Sequence, residues 1–557
     1  MTDWPQRTAT FEARPDRAVW CDTGRGWTAC VIIVACAIAY SFRFTSFLHA
    51  KEAVLCIGLG VISILVALRG RFSWRGIAAF LPLWLWVGAG LCRLCFAPPQ
   101  VPSDAAVELG RWLLLLLTVG LVFDVLGNDT WRRRVMNAFL LSTVVVGLLG
   151  LVQYAGAVPL LFPVFEGYTQ RVYSVFGNQD LYGGYLAIGV PLLAHRLLAS
   201  KRLDAASLTG LCVLTPALLV SGSRSAWLAA AVGVAVAVVM TERNRARLAL
   251  FGALIAALAV VAAFAAPDAT VRRITQTFRD EDEGRHARLF FWEVAWGLFE
   301  DAPLLGHGAG AYAYWSPRYL GELVEAEPGP LKFDVERHAD HPHCEPLRIL
   351  AETGLVGILF WLWLAARLLR RRGIEWAGLA AFAVFACFNG PLDSAPHLLA
   401  ALLLAAMLSA RRQEDTAEAW PSAYALPALC IALCAFEVWA VLVPSYLLRA
   451  AQDAQLAGEP ALGLYERALR HPWPNAEAHR DYAIALAEDG RVDDAYGHFQ
   501  EALDGLDTSD LYLALAALAI ERGDRDAARR WAQECLRRCP RHPEATDLLA
   551  HVGGDWP

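Results

Sequence analysis

The chain alternates long apolar runs with short polar connections from about residue 27 to residue 448. A membrane-spanning helix needs roughly 20 mostly apolar residues, and about thirteen runs approach or exceed that length. They lie near 27–42, 52–68, 76–96, 112–127, 135–156, 180–198, 205–221, 224–241, 248–266, 347–366, 374–389, 392–410 and 421–448. Most are rich in Leu, Val and Ala, which favours helices over barrel strands. The pattern predicts an all-α polytopic membrane protein.

Two polar segments interrupt or precede this pattern. Residues 1–26 are polar and too long for the charged start of a signal peptide, so they are predicted to form a segment on the inner side. The connection over about 267–346 is long and acidic and contains apolar stretches. Connections of this length usually carry function, and this one is predicted to be a folded lid.

After residue 448 the apolar runs give way to an amphipathic helical pattern that repeats. Ala461, Tyr465 and Ala468 align with Ala495, Phe499 and Ala502, and a third copy begins at Ala528. Turn glycines recur in register at Gly458, Gly490 and Gly523. Small residues followed by an aromatic at this spacing resemble tetratricopeptide repeats, so residues 449–557 are predicted to form two to three helical hairpins. Such arrays usually bind a peptide or protein partner, although they also serve as plain caps on a neighbouring domain.

Composition and charge narrow the class of protein. Hydrophobic residues make up 56% of the 557 residues and charged residues 19%, which excludes a soluble enzyme and a disordered chain. The net charge of −6 gives no indication of a nucleic-acid partner.

Positive and negative residues are distributed unequally between the two predicted sides of the membrane. Lys and Arg are retained on the cytoplasmic side of membrane proteins, and with the N-terminus inside, the inner segments hold 22 of them. The segment 267–346 instead has 8 basic and 15 acidic residues, and 449–557 has 12 and 20. Both are therefore predicted to face outward.

Candidate chemistry gathers at the end of the long outer connection. His338, His341 and His343 lie within six residues, directly before a predicted helix. One interpretation is a polar loop with incidental histidines. A second is a metal site at His341, His343, Cys344 and Glu345, although adjacent ligands around Pro342 do not match known spacings. A third makes one imidazole a general base.

Three arginines on the same predicted side add to this cluster. Arg171, Arg224 and Arg288 lie at outer helix edges, where cytoplasmic retention does not explain them. A guanidinium at the bilayer edge is costly unless it is paired, and phosphate matches it well. Together with the histidines they suggest a site for a lipid-linked diphosphate.

Four segments carry a resemblance to a known family. RVYSVFGNQDLYGGYLAIGVPLL, SGSRSAW, GRHARLFFWEVAWGLFEDAPLLGHGAGAY and HPHCEPLRILAETGLVG resemble the O-antigen ligase superfamily. Its members carry a His, a small polar residue, nine residues and Gly-x-x-Gly; here these are His343, Cys344, Gly354 and Gly357. Cys344 departs from the Asn, Ser or Gln usual in the family. The resemblance covers roughly residues 27–410.

The resemblance implies both fold and function. It implies a GT-C-like domain over 27–420, followed by an additional transmembrane helix at 421–448. It also implies a metal-independent, inverting glycosyltransferase with no cofactor, acting on the periplasmic face of the bacterial inner membrane. A glycan would move from undecaprenyl diphosphate to an acceptor hydroxyl on a lipid, glycan or protein.

The resemblance also implies roles for individual residues. His343 would be the base, and Arg224 and Arg288 would bind the diphosphate, with Arg171 as a weaker match. His338, His341 and Glu345 are further candidates for contacting substrate; Glu345 and Glu352 would otherwise only cap and pack the helix start.

Several functions remain open at this point. Ligase, O-antigen or exopolysaccharide polymerase and protein O-oligosaccharyltransferase share the same donor. A transporter of lipid-linked glycans would favour charges in mid-membrane and repeat symmetry, and neither is visible in the sequence. A scaffold with a degenerate catalytic part is a third class, and the retention of Arg224 and His343 argues against it.

Overall fold

A computed structural model describes residues 15–96, 100–156, 172–241 apart from 201, 283–326, 340–410, 418–419 and 425–553, with isolated helical positions between 249 and 275. Seven described helices are long and apolar enough to cross a membrane. They are α1 (Pro15–Ile38), α2 (Phe47–Arg69), α5 (Pro102–Leu126), α6 (Asp129–Tyr154), α7 (Gln179–Ala199), α12 (Glu345–Leu369), and α15 (Ala425–Glu437) with the helical stretch that continues it to Leu456.

Shorter apolar helices fill the gaps between these long ones. They are α4 (Leu81–Phe96), preceded by α3 (Arg75–Ala79), then α8 (Ala205–Val220), α9 (Arg224–Val239), α13 (Glu375–Ala386) and α14 (Ala395–Ser409). Twelve of the predicted runs thus coincide with apolar helices, and the run 248–266 lies largely outside the described residues. The prediction of an all-α polytopic membrane protein is confirmed; within the described part of the chain, the strands β1 (Arg71–Phe72) and β2 (Glu418–Ala419) form one short antiparallel pair.

Several element boundaries differ from those predicted. Helix α1, Pro15–Ile38, extends into the segment expected to precede the first span, and there Asp22 pairs with Arg69 and Arg25 with Asp124. The predicted run 76–96 is divided at Phe80 into α3 and α4. The last run passes through a π-helical turn, Val438–Leu442, into α16 (Val443–Leu456), the first helix of the repeat domain.

The long connection over about 267–346 contains two described helices, α10 (Glu283–Asp301) and α11 (Ala311–Ala326). Phe291 and Leu298 of α10 pack with Tyr312 and Leu320 of α11 and with Ala351 of α12, forming a small apolar core separate from the membrane core. The described part of this connection is therefore folded against the start of α12.

A break in α12 at Gly354 joins this connection to the membrane domain. Gly354 has φ 63° and ψ −161°, a region open essentially to glycine only. The break lets backbone groups pair across the two segments: Leu355 N donates to Pro303 O at 2.8 Å and Gly308 N to Glu352 O at 2.8 Å. The conformation of one glycine thus fixes the segment 303–308 against α12.

The C-terminal helices form stacked antiparallel hairpins. They are α16 with α17 (Leu462–Leu469), α18 (Ala476–Glu488) with α19 (Val492–Ala502), and α20 (Ser509–Glu521) with α21 (Arg525–Arg538), followed by α22 (Pro543–Gly553). The three turn glycines have φ between 70° and 77°, and the aligned residues Ala461, Tyr465, Ala495 and Phe499 are buried in one core. The prediction of tetratricopeptide-like hairpins is confirmed.

Candidate functional site

Five segments of the chain come together at the candidate site, at one end of the apolar helices. They are the start of α7, the start of α9, the middle of α10, the loop 340–345 before α12, and the loop 387–394 before α14. Arg196 and Arg367, which belong to the predicted cytoplasmic set, lie at the opposite ends of α7 and α12. The candidate chemistry and these basic residues are thus at opposite ends of the same helices.

The backbone at His343 is strained and is held by a neighbouring imidazole. His343 has φ 53°, which non-glycine residues rarely adopt and which clusters at functional sites. Its backbone N–H donates to His341 Nδ1 at 2.8 Å. Since Nδ1 accepts this bond, a neutral His341 carries its proton on Nε2, so His341 fixes the conformation of the loop that presents His343.

His341 is fixed in turn by its surroundings. An ideal Cβ atom at Gly390 would lie 2.9 Å from His341 Nε2, so the ring packs directly on this glycine. His341 Nε2 lies 3.4 Å from Glu345 Oε2, and among the described residues no atom completes a hydrogen bond to it. A buried nitrogen of this kind needs a partner, which a bound ligand can supply.

A buried arginine organises the acidic groups next to His341. Arg348 donates from Nε to Glu345 Oε2 at 2.9 Å and from Nη1 to Asp393 Oδ1 at 2.8 Å. Glu345 Oε1 also accepts from Leu392 N at 2.8 Å. Arg348 therefore ties α12 to the loop before α14, and Glu345 is a structural link between them rather than a free acid.

Glu345 and Asp393, the two carboxylates paired with Arg348, are also potential metal ligands. His341, Glu345 and Asp393 present ligand atoms within 4.8 Å of one another, a different set from the His341, His343, Cys344 and Glu345 considered from sequence. Arg348 lies on both carboxylates at hydrogen-bond distance, so a guanidinium already supplies the positive charge there.

The electrostatic environment keeps His343 neutral. Burial lowers its pKa to about 4, and the neighbouring His341 and Arg288 lower it further, while Asp180 opposes this effect. The ring also packs near Phe291 of α10, with centroids 6.2 Å apart. His343 is thus an uncharged imidazole at neutral pH, and Arg288 and Asp180 are its charged neighbours.

Hydrogen bonds join the starts of α7 and α9 next to His343. Asn178 caps α7 by accepting from Asp180 N at 2.8 Å, and Ser223 Oγ donates to Asp180 Oδ1 at 2.5 Å. Asn389 Nδ2 donates to Ser225 Oγ at 2.6 Å. Arg224, half-buried as the first residue of α9, lies between these two anchored serines.

The structure brings together most of the residues singled out from sequence. His341, His343, Glu345, Arg224 and Arg288 belong to the connected elements of the site. Arg171 and His338 lie outside the described residues. Sequence reasoning missed Asp180, Arg348, Asn389 and Asp393; Asp180 stands in the quoted GNQD motif, whereas Asn389 and Asp393 are separated from the motifs and carry no sequence signal.

Fold and site together define a polytopic membrane protein with a polar site at one helix end and a helical-repeat domain. A family model described as O-antigen ligase matches residues 209–362, a range that contains Arg224, Arg288 and His343. This segment of the chain is therefore similar to O-antigen ligases, in agreement with the resemblance seen in the sequence, and the match supports a membrane glycosyltransferase of ligase or polymerase type.

Two further comparisons add little to this family match. No curated protein matches the chain. Among solved structures, the crystal structure of APC/C hetero-tetramer Cut9-Hcn1 is similar at 12% identity over 84% of this chain and 95% of that chain, with a TM-score of 0.19. This score is too low to support an argument about fold.

Proposed function

We propose that this protein transfers a glycan from undecaprenyl diphosphate to an acceptor hydroxyl, in the manner of an O-antigen ligase. The observation that carries the proposal is a neutral, half-buried His343 beside Arg288, inside the segment that matches the O-antigen ligase family. The reaction is a one-step displacement at the anomeric carbon with inversion, and the departing group is the lipid diphosphate.

His343 is the general base in this proposal. Its ring nitrogen takes the proton of the acceptor hydroxyl as the oxygen attacks, a role that requires the neutral imidazole. A pKa near 4 makes a weak base in the empty site. A bound diphosphate places negative charge beside Arg288 and offsets its effect, so donor binding raises the pKa of His343 toward the range in which it accepts a proton.

Arg288 and Arg224, with Arg171 as a further candidate, bind the donor diphosphate. Guanidinium groups match phosphate oxygens geometrically and remain charged at all relevant pH values. They stabilise the charge that develops on the leaving group, so the reaction needs no metal. His341 positions His343, and its Nε2, together with His338, is assigned to contacts with the sugars.

The proposed location is the bacterial inner membrane, with the site and the repeat domain in the periplasm. The acidic outer segments and the basic opposite ends of the helices support this orientation. In this arrangement the lipid donor enters sideways from the bilayer, and α10 and α11 shield the site from water that would compete as acceptor. The domain limits proposed from sequence, with a catalytic part over 27–420 and repeats over 449–557, fit this arrangement.

Polymerases and protein O-oligosaccharyltransferases of the same superfamily are the alternative functions. The repeat domain favours a protein acceptor or partner, because helical-repeat arrays usually bind peptides or proteins. Acceptor identity is what separates these three activities.

The experiment that tests the proposal is complementation of a deletion strain. Surface glycans and glycoproteins are profiled after expression of wild type, His343→Ala, Arg224→Ala and the exposed control Arg318→Ala. Loss of one glycan class, restored by wild type and Arg318→Ala but by neither site variant, is the expected result. Unchanged glycans in the deletion strain would favour transport or scaffolding instead, and full restoration by His343→Ala would refute the assigned base.

A further inference from the structure

A second cluster of metal-ligating side chains lies in the repeat domain, on different elements from the candidate active site. His479 belongs to α18, and His498 and Glu501 belong to α19, the partner helix of the same hairpin. Their ligand atoms lie within 4.8 Å of one another. The proposed glycosyl transfer uses none of these residues.

The spacing of the ligand atoms fits a tetrahedral ion. His479 Nδ1 lies 3.0 Å from His498 Nδ1 and 3.4 Å from Glu501 Oε2. Two ligands at about 2.0–2.1 Å from a zinc ion at the tetrahedral angle are about 3.3 Å apart. Both separations are close to this value, so an ion can be placed with only small movements of the side chains.

The charges around this cluster also favour a cation. In the His341 cluster, Arg348 pairs with both carboxylates, whereas the described ion pairs give Glu501 only His479 as a partner. Asp504 lies close enough to His479 to influence its charge. Two imidazoles and one carboxylate are a ligand set that zinc and similar transition metals prefer over magnesium or calcium.

The cluster also borders an open space. His479, Glu501 and Asp504 line a cavity of about 640 Å³ whose opposite wall is formed by the starts of α2 and α5, including His49 and Asp104. Three protein ligands next to a cavity leave a fourth position for water, for Asp504 or for a group of a bound molecule.

We propose that His479, His498 and Glu501 form a binding site for a divalent transition-metal ion of the zinc class, with its fourth coordination position facing this cavity. The ion links α18 to α19 and so stabilises the hairpin that faces the membrane domain. It also provides an electrophilic contact point for a ligand that enters between the repeat and membrane domains.

The test is zinc binding by the full-length protein, purified in detergent with a tag that contains no histidine and stripped of metal with a chelator. Zinc affinity is measured by competition with a chromophoric chelator, and Co²⁺ is added separately because its visible spectrum reports tetrahedral geometry. One tight zinc site per chain and a tetrahedral Co²⁺ spectrum are expected in wild type.

Three variants and one control distinguish coordination from loss of folding. His479→Ala and His498→Ala should each weaken zinc binding at least 100-fold, and Glu501→Gln, at an exposed side chain, should weaken it about 10-fold or more. His551→Ala, an exposed histidine on α22, should bind zinc as wild type does. Circular dichroism without metal confirms that each variant retains its helices.

Either of two results would overturn the site. Wild type that holds no tight zinc would leave the two imidazoles as a simple hydrogen-bonded pair. Equal zinc affinity in wild type and His479→Ala would place the ion elsewhere. Because the assay measures metal and not glycan, its outcome is independent of the proposed transferase activity.

Discussion

His343 is presented by a loop whose conformation depends on small contacts. Its positive φ is maintained by the bond from its N–H to His341 Nδ1, and His341 packs on Gly390. The sequence motif contains both His343 and Arg348, but it does not show that Arg348 reaches Asp393 or that His341 packs on Gly390, because contacts between positions some 45 residues apart depend on how α12 and α14 pack. The position of His343 beside the other candidate residues was therefore predictable, and the contacts that hold its loop were not.

Gly390→Ala tests this support. The new methyl group would lie 2.9 Å from His341 Nε2, so the ring must move and the His343 loop with it. Displacement of a catalytic group by about 1 Å typically lowers turnover on the order of 100-fold. We expect a loss of 10- to 100-fold in glycan transfer with an unchanged melting temperature. Gly60→Ala, where the same methyl group meets no neighbour, serves as the control, and wild-type turnover in Gly390→Ala would contradict the role of His341.

The charges around His343 predict how activity depends on pH. A base must be unprotonated, so kcat/KM should fall as the pH drops through the pKa of the free enzyme, which is about 4. Arg288 lowers this pKa and Asp180 raises it. Arg288→Gln should therefore move the acid limb to higher pH and Asp180→Asn to lower pH, whatever happens to the absolute rates.

The pH profiles are measured as kcat/KM with purified protein and lipid-linked donor, and Arg318→Gln on α11 is the control. Acid limbs that coincide in wild type and both site variants would show that the titrating base is not His343.

At the scale of elements, the break in α12 joins α10 and α11 to the membrane helices. The apolar run 347–366 predicts one uninterrupted helix, and periodicity alone carries no signal for a break. The Gly-x-x-Gly motif was visible, but its physical reason becomes clear only from the backbone bonds to segment 303–308. Gly354 is required both by its φ and by the approach of Leu304, whose carbonyl carbon would lie 2.5 Å from a Cβ atom.

Gly354→Ala should therefore destabilise the protein. Strain at such a backbone position costs of order 1–3 kcal/mol, and the clash with Leu304 adds to it. We expect a lower melting temperature and faster proteolysis between α10 and α11, measured in detergent. Gly88→Ala in α4, which meets no neighbour, should melt as wild type does, and a Gly354→Ala protein as stable as this control would argue against the proposed junction.

At the scale of the whole molecule, the apolar pattern and the repeat register predicted most of the architecture. Helix positions followed from hydropathy, because a membrane permits few alternatives. The sequence did not predict that the repeat domain contacts α11, since residues far apart in the chain meet there only through the packing of the helices. That contact is close: a Cβ atom at Gly321 of α11 would lie 2.0 Å from the carbonyl oxygen of Arg537 in α21.

Gly321→Ala should weaken the contact between the repeat domain and α11 without unfolding either. Hydrogen exchange of α11 and α21 should increase, while exchange in the core of α18 and α20 stays unchanged. Gly497→Ala, which meets no neighbour on α19, is the matched control. Identical exchange in Gly321→Ala and the control would show that the two domains are not held together at this point.

Glycan transfer by purified His343→Ala, measured with a lipid-linked glycan donor, tests most directly whether His343 is the general base. Removal of a general base lowers turnover by about 100- to 10,000-fold, and donor binding should persist because the arginines remain. The neighbouring variant Cys344→Ser should retain activity. A His343→Ala protein that transfers glycan at the wild-type rate would show that His343 is not the base.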